Sequence, residues 1–121
     1  MRSVDHEKIN YVELPAKDLI ASKAFFESAF NWQFTDYGPE YSAFSAKSAG
    51  LEGGFYQADL AASTYNGSAL IVFYSAELEQ TQHKIERAGG SIVKTIFPFP
   101  GGRRFHFTDP SGNEFAVWSD L

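Results

Sequence analysis

The order of predicted elements is the same in the two halves of this chain, and this repeat constrains the fold more than any other feature. Each half reads as a strand, a helix and three further strands. In the first half the strands are predicted at 9–14, 32–37, 41–46 and 51–57, with a helix at 19–30. In the second half they are predicted at 69–74, 91–96, 105–108 and 113–118, with a helix ending near residue 88. The sequence therefore predicts two β-α-β-β-β units. Leu19, Ser22 and Phe26 share one face of the first helix, and the helix residues expected in the core are Phe26, Phe30, Leu78 and Ile85.

Turn and capping residues set the boundaries of these elements. Pro15 is predicted to end the first strand, and Asp18 to cap the first helix. Ser75 is predicted to cap the second helix. Residues 97–102 (Phe-Pro-Phe-Pro-Gly-Gly) have the composition of a loop, and residues 109–112 (Asp-Pro-Ser-Gly) supply the turn of a final hairpin.

A direct alignment of the two halves supports a duplication. A shift of 59 residues places Tyr11 on Leu70 through the first strand and helix of each half. A shift of 62 residues, which places Tyr41 on Arg103, aligns the last two strands. The three-residue difference falls between the second and third strands, where the predicted loop at 97–102 is longer. Loops tolerate such insertions, so the difference is compatible with a repeat.

Composition limits the classes of function. With 121 residues the chain forms one domain, and its twelve phenylalanines supply a core or an aromatic-lined cavity. The net charge of −5 disfavours nucleic acid and anionic membranes as partners. The sequence contains no cysteine, no signal-peptide pattern and no run of about 18 apolar residues. We therefore expect a cytoplasmic protein with no nucleic-acid or membrane partner.

The repeated unit resembles those of the vicinal oxygen chelate superfamily, which holds glyoxalase I, extradiol dioxygenases and bleomycin-resistance proteins. The matching segments flank both helices and form the last hairpin; they are residues 13–19, 24–32, 88–92 and 107–118. The resemblance implies an α+β fold in which two βαβββ modules form curved sheets around a cavity. It divides a single domain, 1–121, into modules at about 9–57 and 68–120 with a linker at 58–67. The chain also looks like the glyoxalase-related branch near lactoylglutathione lyase, in which the first strand ends Leu-Pro and the last ends in Trp, and this resemblance implies no settled substrate.

In the metal-dependent members of that superfamily, each module supplies one metal ligand from its first strand and one from its last. The resemblance carries these positions onto Tyr11, Gly54, Leu70 and Ala116. Gly54, Leu70 and Ala116 have no side-chain donor atom, and a neutral tyrosine binds divalent ions poorly. We therefore expect no metal ion and no other cofactor.

Aromatic and polar residues near these four positions predict a site for a small organic ligand in the cavity between the modules. Strand alternation places such residues on the faces that carry the four positions. The predicted ligand-binding residues are Tyr11, Glu13, Tyr56, Leu70, Tyr74, Ala116 and Trp118. The rings offer stacking or cation–π contacts, and Glu13 would orient a cationic or hydrogen-bonding group. The negative net charge suits a cationic ligand.

Two other functions remain open from the sequence. One is an enzyme related to lactoylglutathione lyase that uses an atypical metal site, or acid–base chemistry from Glu13 or His106, the histidine in a predicted strand. The other is an interaction module whose open sheets serve homodimerisation. Because short modules with open sheets leave apolar edges uncovered, we expect a homodimer.

Overall fold

The computed structural model describes residues 3–121, which form two four-stranded sheets and two long helices. After a 3₁₀ turn at Ser3–Asp5, the first half contains β1 (Tyr11–Ala16), α1 (Leu19–Phe30), β2 (Phe34–Asp36), β3 (Tyr41–Phe44), the short helix α2 (Ala46–Ala49) and β4 (Glu52–Gln57). The second half contains β5 (Ile71–Tyr74), α3 (Leu78–Arg87), β6 (Ser91–Phe99), β7 (Gly102–Thr108) and β8 (Glu114–Ser119). No helix between residues 3 and 121 is long and apolar enough to cross a membrane.

Both sheets have the same topology. The strand order is β1-β4-β3-β2 in the first sheet and β5-β8-β7-β6 in the second. In each sheet the first strand pairs in parallel with the last, and the other neighbours are antiparallel. A helix connects the first two strands of each half, as a parallel crossover requires. The predicted α+β fold with two βαβββ units is confirmed.

Strand register agrees with most of the alignment between the halves and corrects it in one strand. In β1–β4, Tyr11 lies opposite Glu52, and in β5–β8, Ile71 lies opposite Phe115. This register is the one expected if the first strands are related by a shift of 59 residues and the last strands by a shift of 62. In the third strands, however, Tyr41 lies opposite Tyr56, and Arg104 lies opposite Trp118. Tyr41 therefore corresponds to Arg104 and not to Arg103. The prediction was one residue out because the connection between the last two strands is one residue longer in the first half.

Helix α1 begins and ends at residues that satisfy its free backbone groups. The Asp18 side chain accepts a hydrogen bond from the backbone N–H of Ala21 at 3.0 Å, which confirms Asp18 as the N-cap. At the other end, Asn31 adopts a left-handed conformation with φ of 58°. Its N–H donates to the carbonyl of Glu27, so the helix ends without a glycine.

The buried face of α1 packs against both sheets. Phe26 is fully buried, and its ring stacks on Trp32 with 4.6 Å between centroids and on Phe55 with 5.4 Å. Its edge also meets the ring of Phe115 in the second sheet at 5.4 Å. One helix residue thus joins the cores of the two halves. Of the helix residues expected in the core, three are fully buried and one is half-buried: Phe26, Leu78, Ile85 and, half-buried, Phe30.

Proline does not end strands where the sequence predicted. Strand β1 continues through Pro15 to Ala16, and β6 continues through Pro98 to Phe99. Since β7 begins at Gly102, the predicted loop at 97–102 holds only for residues 100 and 101. Strands β1 and β6 both lie at the edges of their sheets. At an edge, alternate N–H groups point away from the sheet, so a proline there forfeits no ladder bond.

Two helical features also differ from the prediction. Helix α3 begins at Leu78 with Glu77 as its N-cap residue, and Ser75 instead accepts a hydrogen bond from the N–H of Glu77 at 3.0 Å. The short helix α2 (Ala46–Ala49) follows β3 directly and occupies residues expected to end a strand and begin a loop. Its alanines and serines are compatible with either state, so local composition did not identify it.

A buried polar cluster in the β7–β8 turn connects the two halves. Asp109 accepts hydrogen bonds from the backbone N–H of Asn113 and from the hydroxyl of Ser22 on α1. The Asn113 side chain donates to the carbonyl of Pro15 in β1 at 2.6 Å and accepts from the N–H of Ala62 at 2.9 Å. This turn therefore holds β1, α1 and the 58–67 segment against the second sheet.

Candidate functional site

Three polar side chains form a row on the open face of the second sheet, which is the side opposite the helices and carries Arg104, His106, Ala116 and Trp118. His106 Nδ1 lies 2.7 Å from a carboxylate oxygen of Glu114, and His106 Nε2 lies 2.9 Å from Nη2 of Arg104. Residues 104 and 106 share this face because they alternate along β7, and Glu114 lies on the same face of β8. His106 and Glu114 are buried at 4% and 9% exposure.

Arg104 determines which ring nitrogen of His106 carries the proton. Because a guanidinium has only donors, Nε2 of His106 must accept from Arg104, and Nδ1 therefore carries the proton donated to Glu114. The other Glu114 oxygen accepts from the N–H and hydroxyl of Thr64, at 2.8 and 2.9 Å. Both His106 nitrogens are engaged, so this geometry disfavours His106 as a general base.

The Glu114 carboxylate is stabilised in its charged form. Burial acts to raise the pKa of Glu114, but hydrogen bonds from Thr64 and His106 outweigh that effect, and the pKa lies below its ordinary value. The carboxylate is therefore ionised at neutral pH. Its negative charge is directed at Thr64 and His106 and not at open solvent.

Aromatic rings surround Arg104 and extend the site along the sheet. The guanidinium carbon lies 5.8 Å from the ring centroid of Phe97 and 5.9 Å from that of Phe99. The Phe99 ring is 6.2 Å from that of Trp118, which meets Tyr74 edge-on at 5.2 Å. The open face thus combines a fixed cation with a continuous aromatic surface.

A second cluster lies on the open face of the first sheet. Tyr41 donates a hydrogen bond to Glu13 at 3.0 Å, and its hydroxyl oxygen is 2.5 Å from that of Tyr11. Burial, together with the hydrogen bonds to Tyr11 and Glu13, raises the pKa of Tyr41 well above its ordinary value. Tyr41 therefore stays protonated, and since it donates to Glu13, Tyr11 is the donor between the two phenols.

The four positions that would correspond to metal ligands do not fit a metal ion. A Cβ atom added to Gly54 would lie 2.3 Å from the Tyr41 hydroxyl, so that phenol occupies the space that a ligand side chain would need. Leu70 and Ala116 carry no donor atom, and the Tyr11 hydroxyl is bonded to Tyr41. Throughout residues 3–121, no group of three or more His, Cys, Asp or Glu side chains is placed to hold a metal ion.

The residues predicted to bind a ligand fall into two groups, one on each sheet. Tyr11, Glu13 and Tyr56 lie on the first sheet, whereas Tyr74, Ala116 and Trp118 lie on the second, with Leu70 directly before β5. Two cavities, of about 560 and 570 Å³, lie beside the edge strands β1 and β5. Tyr74 lines the first of these, and Glu13 and Tyr56 line the second. Tyr11, Leu70, Ala116 and Trp118 line neither of these two cavities, so the predicted residues do not share one cavity.

Sequence reasoning missed Arg104, Tyr41 and Thr64. A solvated strand end explains the adjacent pair Arg103-Arg104 about as well as ligand binding does, so the pair did not single out Arg104, although its spacing from His106 places both on one face of a strand. The flanking Phe97 and Phe99 were assigned to a loop. Tyr41 gave no signal, since its role depends on the absence of a side chain at Gly54 across the sheet.

Comparison with known proteins agrees with the fold. The model of the Glyoxalase/Bleomycin resistance protein/Dioxygenase superfamily matches residues 8–117. No curated protein matches the sequence. Among solved structures, the fosfomycin resistance protein FosX from Listeria monocytogenes is 23% identical with a TM-score of 0.75, covering 93% of both chains. A glyoxalase-related enzyme from Fulvimarina pelagi is 16% identical with a TM-score of 0.76, covering 93% of this chain and 88% of its own. Lactoylglutathione lyase from Agrobacterium tumefaciens is 20% identical with a TM-score of 0.68, covering 93% of both chains.

Proposed function

This chain belongs to the Glyoxalase/Bleomycin resistance protein/Dioxygenase superfamily, and we propose that it binds a small organic ligand on the open faces of its sheets without a resident metal ion. The observation that carries the proposal is at Gly54. The Tyr41 hydroxyl lies where a metal-binding side chain would have to pass. A substitution at residue 54 alone would therefore have to displace Tyr41 before it could create a ligand.

The surface that remains is suited to organic molecules. Trp118 and Tyr74 form an edge-on pair on the second sheet, and Tyr11 and Tyr56 lie partly exposed on the first, at 42% and 36%. Partly exposed aromatic rings bind apolar ligand surface and, through their faces, cations. Charged residues near them supply polar contacts that orient a ligand.

The hydrogen bonds of His106 disfavour acid–base catalysis by that residue. His106 has no free nitrogen, because Arg104 and Glu114 engage both. A general base needs a free lone pair within reach of the substrate.

A ligand screen by thermal shift tests the proposal. A ligand at about 100 times its Kd should add about 2.7 kcal/mol to the free energy of unfolding. Trp118→Ala and Tyr11→Ala should reduce the shift. Tyr65→Ala is the matched control, because Tyr65 is 96% exposed in the linker. If both site variants respond to every hit like the parent, the pocket is misplaced.

Addition of zinc, nickel, manganese or iron to the dialysed protein tests the absence of a metal site. We expect no stoichiometric binding. A one-to-one metal complex that is lost on substitution of Glu13, Glu114 or His106 would contradict the proposal.

We also propose that the protein is a homodimer in which a second copy covers part of the exposed apolar surface. Val72 and Tyr74 on β5 are 43% and 54% exposed, and β1 and β5 each have an unpaired edge in their sheets. Exposed strand edges with apolar side chains favour pairing with another chain. Light scattering at micromolar concentration should give twice the mass of the chain; the mass of a monomer would refute the dimer.

A further inference from the structure

We infer that Arg104 binds an oxyanion of the ligand, a carboxylate or phosphonate group, while the neighbouring rings bind the body of the ligand. This inference rests on the proposed function and specifies the class of molecule bound. It differs from the cationic ligand that the negative net charge alone would favour. The local arrangement of charges on the second sheet is the reason for the difference.

The Arg104 guanidinium is held in place before any ligand arrives. A chain of hydrogen bonds runs from Thr64 through Glu114 and His106 to Nη2 of Arg104, with distances from 2.7 to 2.9 Å. Glu114 and His106, the two inner members, are buried, so solvent does not compete for these bonds. A guanidinium fixed in this way loses little conformational entropy when it binds a planar acceptor.

Part of the guanidinium nevertheless has no acceptor. Within residues 3–121, Nε of Arg104 is buried without a hydrogen-bond partner. Nη1 also makes no hydrogen bond to the described part of the chain, and it is not enclosed. A ligand oxygen therefore reaches the guanidinium at Nη1, and an oxyanion is the acceptor that forms the strongest bond with a charged donor.

The charges nearby also favour an anion. Lys94 lies opposite His106 in the β6–β7 pair, so its side chain starts from the same face as Arg104. The negative charge of Glu114 is directed at His106 and Thr64. A local excess of positive charge can attract an anion even on a protein with negative net charge.

The rings define the rest of the ligand. Phe97 and Phe99 both lie within 6 Å of the guanidinium carbon, and Trp118 continues the surface beyond Phe99. An acid group at Arg104 would place an attached ring or apolar chain against this surface. The molecule expected is therefore an anion with an aromatic or apolar body, such as an aryl carboxylate or aryl phosphonate.

Arg103 is a natural control within the same strand. It points to the opposite side of β7, where Glu79 on α3 accepts two hydrogen bonds from it at 2.6 and 3.2 Å. The backbone carbonyl of Leu121 accepts two more, at 3.3 and 3.2 Å. Its guanidinium is thus already paired with a carboxylate.

The test is a titration of the full chain with four phenyl compounds that differ in one group: benzoate, phenylphosphonate, neutral benzamide and cationic benzylamine. Nuclear magnetic resonance of the Nε–H groups resolves the four arginines, Arg2, Arg87, Arg103 and Arg104. At least one of the two anions should move the Arg104 resonance and bind about tenfold or more tightly than benzamide or benzylamine. Comparison of benzoate with phenylphosphonate identifies which oxyanion is preferred.

Substitution of each arginine by glutamine shows whether Arg104 or Arg103 binds the anion. Arg104→Gln should weaken binding of the preferred anion by about tenfold or more, whereas Arg103→Gln should change it by less than about twofold. If Arg104→Gln does not fold, the titration of the unaltered protein still decides the question. Failure of both anions to move the Arg104 resonance, or equal binding of benzamide or benzylamine, would overturn the inference. Neutral or cationic hits that depend on Trp118 or Tyr11 would leave the proposed function intact.

Discussion

Replacement of Asn113 by alanine should destabilise the protein more than any other single change in the β7–β8 turn that keeps its backbone intact. The Asn113 side chain is fully buried. It donates to the carbonyl of Pro15 at 2.6 Å and accepts from the N–H of Ala62 at 2.9 Å. Alanine removes both bonds at once and leaves the buried carbonyl of Pro15 and the half-buried N–H of Ala62 without these partners. At about 1–3 kcal/mol for each such group, the free energy of unfolding should fall by roughly 2–6 kcal/mol.

Urea unfolding followed by circular dichroism measures this loss, with an unchanged dependence on urea concentration showing that the same surface is exposed. The matched control is Asn66→Ala. Asn66 is exposed, and its side-chain amide donates to the carbonyl of Ala61 at 3.4 Å, which is a weak bond. The control should change stability by less than about 0.5 kcal/mol. A loss of under about 1 kcal/mol for Asn113→Ala would refute the role assigned to this turn in joining the two halves.

Three further predictions concern the core and the two clusters. Phe26→Ala should lower the free energy of unfolding by about 3–5 kcal/mol in a urea titration, since the ring contacts both sheets. Ile20→Ala is the control and should have little effect, because Ile20 on the same helix is 82% exposed. Glu13→Gln should bring the raised pKa of Tyr41 closer to its ordinary value, seen as an earlier phase in the ultraviolet titration of the tyrosines; an unchanged titration would contradict the hydrogen bond. The pKa of Glu114 is lower in the folded protein than its ordinary value of 4.5. The ionised carboxylate therefore stabilises the fold above pH 4.5, and this contribution is lost as the pH falls through the pKa of the folded state. Glu114→Gln should therefore flatten the fall in stability between pH 5 and pH 3 measured by urea unfolding, and an unaltered slope would refute this assignment.

Much of the fold follows from local patterns that do not depend on distant contacts. The three-to-four spacing of Leu19, Ser22 and Phe26 predicted the buried face of α1, and Asp18 predicted its start. Alternation predicted most strands to within two residues. Pro98 was predicted to lie in a loop, but it lies in strand β6. A strand tolerates proline mainly at the edge of a sheet, and the other strands decide whether a strand lies at an edge.

The candidate site was less predictable because its contacts join residues far apart in the chain. Thr64 reaches Glu114 from the linker, 50 residues away, and composition describes that linker only as a loop. Strand alternation predicts that Arg104 and His106 share a face, but the bond between them also requires rotamers that β6 and β8 help to set. The metal-ligand positions were easier to judge, since the absence of a donor atom at Leu70 or Ala116 is visible in the sequence itself.

Native mass spectrometry of the purified protein with a ligand from the screen tests the central claim most directly, because one spectrum reports bound ligand and bound metal together. The sample is measured after dialysis against a chelator and again after addition of manganese, zinc, nickel or iron. We predict a complex whose added mass equals that of the ligand alone, in the same proportion with or without metal. A ligand that binds only when one metal ion per chain is also bound would contradict the account.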